Sequence, residues 1–192
     1  SLGVRRTDTV ALLAPNCDEV ITATLAAQLA GVAVPLNSAL SQEHLAELLH
    51  RSHAKVLIAA GADLAPEVWA SACALAGRAG VTALLSVGAT GSAETTMASV
   101  GGVRVSSFSA LAAAQPSAGF VGEPPTSSDL AALFHTGGTT GTPKLAAHTH
   151  ANEVSDAWMI GLSPLLREEG VVFAALPPFH VNALHVTLLA PL

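Results

Sequence analysis

The chain has 192 residues, 51% of them apolar and only 11% charged, with 14 Asp+Glu against 8 Lys+Arg. The net charge of −6 excludes a polyanion-binding surface, so nucleic acid is not an expected partner, and the scarcity of charge excludes a disordered composition. No uninterrupted apolar stretch reaches the ~20 residues of a membrane span, and Cys17 and Cys73 form no CxxC pair of the kind that holds structural zinc.

In chain order, residues 10–14 (VALLA) predict a buried strand. Asn16 is placed to cap the next helix, with Glu19 three residues on in a capping-box arrangement. The helix face is predicted as Ile21, Leu25 and Leu29, with Val20 and Thr24 beside them, and Gly31 suits the position that ends it. Residues 32–36 return as a strand whose Pro35 predicts a place near a sheet edge. Ser41 caps a second helix with the face Leu45, Leu48 and Leu49. Residues 55–60 are the next strand, Pro66 opens a third helix running to about Arg78, and residues 81–87 are another strand. Strand and helix alternating in this way predict α/β architecture, built of βαβ units on a mostly parallel sheet.

Residues 88–102 are rich in Gly, Ser, Thr and Ala and predict a surface loop. Residues 103–108 predict a strand, after which Ser109 caps a short alanine helix to Gln115. Residues 116–129 (PSAGFVGEPPTSSD) have linker composition, which divides the chain into a first α/β portion (1–115), a linker (116–129) and a second portion (130–192). In the last portion, residues 130–135 and 145–149 predict strands, 151–162 a helix, 171–176 a strand, and 180–189 a helix. No secretory signal is visible, since Arg5-Arg6 leads into Thr7-Asp8-Thr9, and the expected location is cytoplasmic with reduced thiols. A start at Ser1 without methionine and a stop at Pro191-Leu192 straight after an apolar segment predict a piece of a longer protein.

Residues 136–144 read TGGTTGTPK. Gly137, Gly138 and Gly141 let backbone N–H groups approach an anion, having no Cβ and tolerating unusual φ/ψ. Thr136, Thr139, Thr140 and Thr142 add hydroxyls able to donate to phosphate or to ligate a hard cation. Lys144 adds a mobile positive charge, and Pro143 stiffens the exit. The Walker spacing G-x-x-x-x-G-K-[ST] is not met, because Pro143 precedes the lysine and Leu145 follows it. This is a different phosphate loop.

TGGTTGTPK resembles the signature of the adenylate-forming superfamily of acyl-CoA synthetases, luciferases and peptide-synthetase adenylation domains, roughly [ST]-[SG]-G-[ST]-T-[GS]-x-P-K. All nine positions agree. The flanks agree too: His148-Thr149-His150-Ala151-Asn152 resembles the family's Thr-His-x-Asn, and residues 175–180 (ALPPFH) resemble its Pro-x-Phe-His segment. Residues 10–60 resemble the family's N-terminal stretch, and residues 88–129 agree least. The resemblance implies part of the large N-terminal domain of such an enzyme. It implies ATP-dependent activation of a carboxylic acid to an acyl-adenylate, followed by transfer to a thiol, usually coenzyme A. By the same resemblance Thr136, Gly137, Gly138, Thr139, Thr140, Gly141, Thr142 and Lys144 hold the ATP phosphates. The Thr136 hydroxyl ligates Mg²⁺, Lys144 neutralises the leaving pyrophosphate, and His180 borders the carboxylate pocket. Phe179-His180 is typical of acyl- and aryl-CoA ligases, whereas peptide-synthetase domains more often carry Phe-Asp.

Leu145 stands where the family usually has glycine and casts doubt on the loop's mobility; Gly137 replaces a common serine. Two other readings stay open: a non-catalytic nucleotide- or acyl-binding scaffold or regulator, and a fatty-acyl-AMP ligase that loads an acyl carrier protein. The family's later Thr-Glu magnesium motif, its ribose-binding Asp and its C-terminal domain do not occur in these residues, so the 192-residue chain alone is expected to be inactive. Five histidines fall late in the chain, at 135, 148, 150, 180 and 185. Because His180 and His185 are five apart, a poor helical pair, a zinc site is not expected from them. The acid, the acceptor thiol and the oligomeric state are not readable here.

Overall fold

The computed structural model describes residues 2–88, 98–116, 119, 120, 122–136, 143–164 and 166–192. The first half alternates β1 (Thr9–Leu13), α1 (Asp18–Ala30), β2 (Val32–Pro35), α2 (Gln42–Arg51), β3 (Ala54–Ala60), α3 (Pro66–Ala76) and β4 (Ala83–Val87). Then come β5 (Ala98–Val100), β6 (Val103–Ser107), α4 (Phe108–Ala113), β7 (Leu130–Thr136), β8 (Lys144–Thr149), α5 (His150–Gly161), α6 (Val181–Leu184) and a π-turn, His185–Leu189. Among the described residues the strands form one sheet in the order β5-β6-β4-β3-β1-β2-β7-β8. Every pairing from β6 through β7 is parallel, and the two edge strands, β5 and β8, run antiparallel. The α/β class with a mostly parallel sheet is therefore as the sequence predicts.

A parallel sheet is covered on both faces, so its strands read as continuous apolar runs rather than alternations. β1 is buried at all five positions and β3 at all but Lys55. Lys55 reaches back to the chain start, where its ammonium lies 2.6 Å from Asp8 Oδ2 and holds that carboxyl below its usual range. α2 follows prediction, with Ser41 accepting from His44 N–H and Leu45, Leu48 and Leu49 buried.

Several local expectations are corrected. α1 is capped at Cys17 without a side-chain bond, and Asn16 is used elsewhere. Its buried face is Val20, Ala23, Thr24, Ala27 and Gln28, whereas Leu29 is 40% exposed. Alanines at 23 and 27 let the helix backbone lie close to the sheet, so the small-residue stripe wins over the leucine stripe one position round. Ser107, not Ser109, caps α4. Residues 98–100, expected in a loop, pair with β6; residues 89–97 lie outside the described residues. β2 is an interior strand, not an edge. Leu36 N–H donates to Leu12 O, so by alternation the nitrogen of Pro35 faces β7, where the register consists of Ala33 with Ala132 alone. Proline fits because no ladder bond is required of it.

Gly31 ends α1 because nothing larger fits. A Cβ there would lie 2.4 Å from Asp8 O and 3.0 Å from Arg5 O, both backbone atoms. Gly31→Ala must displace the strand entry and is expected to cost about 1–3 kcal/mol, a fall in Tm of roughly 2–12 °C. Thermal unfolding at unchanged Tm would refute the close approach.

Arg6 fastens the segment before β7 to this frame: its guanidinium donates to Glu123 O at 2.8 Å and lies 3.8 Å from Asp129 Oδ2. No helix of the described residues is long and apolar enough to cross a membrane.

Candidate functional site

β7 and β8 form an antiparallel hairpin in the register Thr136–Lys144, His135–Leu145, Phe134–Ala146, Leu133–Ala147 and Ala132–His148. Ala131, Ala132 and Phe134 are buried and anchor β7 in the sheet. The hairpin therefore opens at the carboxyl end of a parallel strand, the end where ligands of open α/β sheets bind. Thr136 and Lys144 face each other at its mouth, both exposed. Gly137, Gly138, Thr139, Thr140, Gly141 and Thr142 lie outside the described residues. Leu145, an unexpected residue after the lysine, takes an ordinary strand position opposite His135 and packs against the core edge.

The Thr-His-x-Asn segment has a structural explanation. Thr149 is the N-cap of α5, accepting from Asn152 N–H, while the Asn152 side chain accepts from Thr149 N–H at 3.0 Å. This capping box turns the chain sharply from β8 into α5. His150 is thereby the first residue of a helix, not a strand neighbour of His148.

The Phe-His segment is brought to the same end of the sheet. Residues 171–176 form no strand, and Val171 and Phe173 are 98% and 86% exposed. Asn16, just past the end of β1, holds this stretch instead. Its Nδ2 donates to Ala174 O at 2.6 Å and to Leu176 O at 2.9 Å. Phe179 then stacks on His135, ring centroids 5.8 Å apart, and the His180 ring lies 4.6 Å from Phe179, tilted against it. Burial pulls the His135 imidazole below its ordinary pKa, and the neighbouring His180 adds to the effect. Its buried Nε2 has no hydrogen-bond partner among the described residues. Thus Thr136 and Lys144 stand at one end of the sheet, and His180 reaches the neighbouring residue of β7, His135, through Phe179.

A second histidine group was not foreseen. His148 Nδ1 lies 3.1 Å from Glu153 Oε1, His185 Nε2 lies 3.0 Å from Glu153 Oε2, and His185 Nδ1 contacts Asp156. Burial lowers the His185 pKa, but the carboxylates of Glu153 and Asp156 outweigh it and hold the imidazole above its ordinary value. These contacts span up to 32 residues, and the Gln28 amide reaches Glu153 across 125, so no short sequence window contains the group. Expected as one helix, residues 180–189 are a short α-turn followed by a π-turn, which begins at His185. Both cysteines are free and half-buried, and burial raises their thiol pKa values.

The model of the AMP-binding enzyme family matches residues 1–192, the whole chain. The chain belongs to the AMP-binding enzyme family. Its relatives are named as CoA ligases: it is 29% identical over 198 residues to the marinolic acid–CoA ligase of Pseudoalteromonas sp., covering 100% of the chain and 29% of that protein. It is 34% identical over 194 residues to 4-coumarate–CoA ligase 5 of Oryza sativa subsp. japonica, covering 98% and 32%. ATP-bound MatB of Rhodopseudomonas palustris matches 99% of the chain and 35% of its own length, at TM-score 0.76 and 25% identity. The chain therefore spans about a third of the length of the curated relatives that it matches.

Proposed function

We propose that this chain carries the phosphate-binding hairpin and one wall of the acid pocket of an ATP-dependent, AMP-forming acyl- or aryl-CoA ligase. The observation that supports it most is the register of Thr136 with Lys144 at the carboxyl end of the parallel sheet, with His180 tied to the same end of β7 through Phe179 and His135. The residues fit a polyphosphate: Lys144 is exposed and makes no ion pair among the described residues, and the Thr136 hydroxyl stands opposite it.

In this reading Lys144 neutralises charge on the departing pyrophosphate, as positioned cations do in phosphoryl chemistry. Thr136 offers its hydroxyl to Mg²⁺, and the amides of residues 137–142 surround the phosphates. His180, with Phe179 and His135 behind it, forms the wall against which the acid lies. Burial, which lowers the His135 pKa, disfavours positive charge on that wall. Bound ATP supplies the α-phosphorus that the acid's carboxylate attacks, and the thiol of coenzyme A then displaces AMP.

The test is a panel of aliphatic and aryl acids screened by ATP–pyrophosphate exchange on the protein expressed from its complete gene. At least one acid is expected to stimulate exchange about 100-fold or more over the acid-free rate, a barrier difference of about 2.7 kcal/mol. ATP binding without exchange on any acid would instead support the non-catalytic reading.

A further inference from the structure

Among the described residues, three side chains of metal-ligating type meet away from the hairpin mouth. His148, Glu153 and His185 each place a donor atom within 4.8 Å of the others. They arrive from three elements: β8, α5 and the π-turn. We propose that these three residues form a divalent-cation site of zinc type, a reading independent of the ligase assignment.

The donor atoms are nearly in place. A tetrahedral zinc ion, about 2.0–2.1 Å from each nitrogen, sets its ligands roughly 3.3 Å apart. The Glu153 oxygens lie 3.1 and 3.0 Å from His148 Nδ1 and His185 Nε2, so a small outward shift at the carboxylate admits the ion. Glu153 is 4% exposed and His185 2%. A buried carboxylate needs partners; those of Glu153 are the two imidazoles and the Gln28 amide, with no lysine or arginine among the described residues, so a divalent ion would take the place of the two histidine contacts.

The surroundings have the features of a metal shell. Asp156 contacts the Nδ1 of His185, leaving Nε2 as the donor, which is the carboxylate–histidine–metal arrangement that fixes ring orientation. The Phe134 ring packs against both imidazoles, with centroids 5.0 Å from His148 and 6.4 Å from His185. His185 opens a π-turn, a rare geometry concentrated at functional positions. Glu153 also lines an open cleft of about 560 Å³, which supplies an entry path. His150 lines the same cleft, its buried Nε2 without a partner among the described residues. Two imidazoles and one carboxylate suit Zn²⁺ and leave a fourth position for water or an external ligand.

The experiment is a Co²⁺ titration of the chelator-treated full chain, read by visible absorption, with Zn²⁺ as competitor. The expected result is one equivalent bound, with the d–d bands of four- or five-coordinate nitrogen and oxygen ligation, displaced by zinc. His185→Ala and Glu153→Gln should weaken binding by at least ~100-fold, and Asp156→Asn by about 10- to 100-fold; His50→Ala on exposed α2 should leave it unchanged. If a variant fails to fold, the spectrum of the unaltered chain decides alone. No d–d band at millimolar cobalt, a thiolate charge-transfer band from Cys17 or Cys73, or binding unchanged in a folded His185→Ala protein would each overturn the proposal.

Discussion

Lys144→Ala, made in the protein expressed from its complete gene, is expected to slow acid-dependent ATP–pyrophosphate exchange by about 10²- to 10³-fold, the loss usual for one positioned charge stabiliser. The lysine occupies the first position of β8 after the loop, in register with Thr136, and among the described residues no carboxylate competes for it. Its charge is therefore free for a ligand. Because pyrophosphate departs in the first half-reaction, thioester formation from preformed acyl-adenylate should fall much less. Equal loss in both half-reactions would count against the assigned role. Lys144 is exposed, so the variant should unfold at nearly the same temperature as the parent, which separates a catalytic effect from a structural one.

Phe134→Ala is expected to have the largest effect on stability. Phe134 is 2% exposed, sits in β7 and touches the rings of both His148 and His185. Truncating a buried phenylalanine costs about 3–5 kcal/mol through lost transfer energy and the cavity left behind. For a chain of this size that is a fall in Tm of roughly 6–20 °C. The hairpin mouth lies two residues further along β7, so loosening at 134 should also weaken nucleotide binding. Phe134→Leu, which refills most of the volume, should recover the larger part of both losses. A Tm within 2 °C of the parent for Phe134→Ala would show that the ring carries no such weight.

What could be read from residues alone follows from the range of the interactions. The βαβ alternation was legible because strands buried on both faces produce apolar runs such as residues 10–14 and 55–60, and because Ser41 and Pro66 mark helix starts locally. The family was legible in nine contiguous residues, TGGTTGTPK. Asn16 was misread because a short amide before a helix has a good local use as a cap, and here two carbonyls of residues 174 and 176 outcompete it. The strand expected at 171–176 failed for the converse reason. Its apolar pattern suits a sheet, yet no described strand lies beside it, and Asn16 takes two of its carbonyls. Glu153 carried no signal at all, since its partners, Gln28, His148 and His185, belong to separate elements. The closing turn broke the helical pattern at His185, where an imidazole is held between two carboxylates.

The order of strands in the sheet also bears on how the chain assembles as it is made. β1 lies inside the sheet, and β2 and β3 take its two sides. β4 and then the β5–β6 pair extend one flank, and the β7–β8 hairpin joins the other. With β5 and β6 taken as a pair, each addition thus extends an edge already present. A ribosome adding about 5–20 residues per second leaves the β2 flank open for several seconds before residue 130 emerges. During that interval β2 is a bare edge of the kind that recruits foreign strands, and Pro35, which offers no N–H on that side, blunts it. The proline that fits an interior strand in the finished molecule thereby guards a temporary edge in the unfinished one, until the hairpin that carries Thr136 and Lys144 covers it.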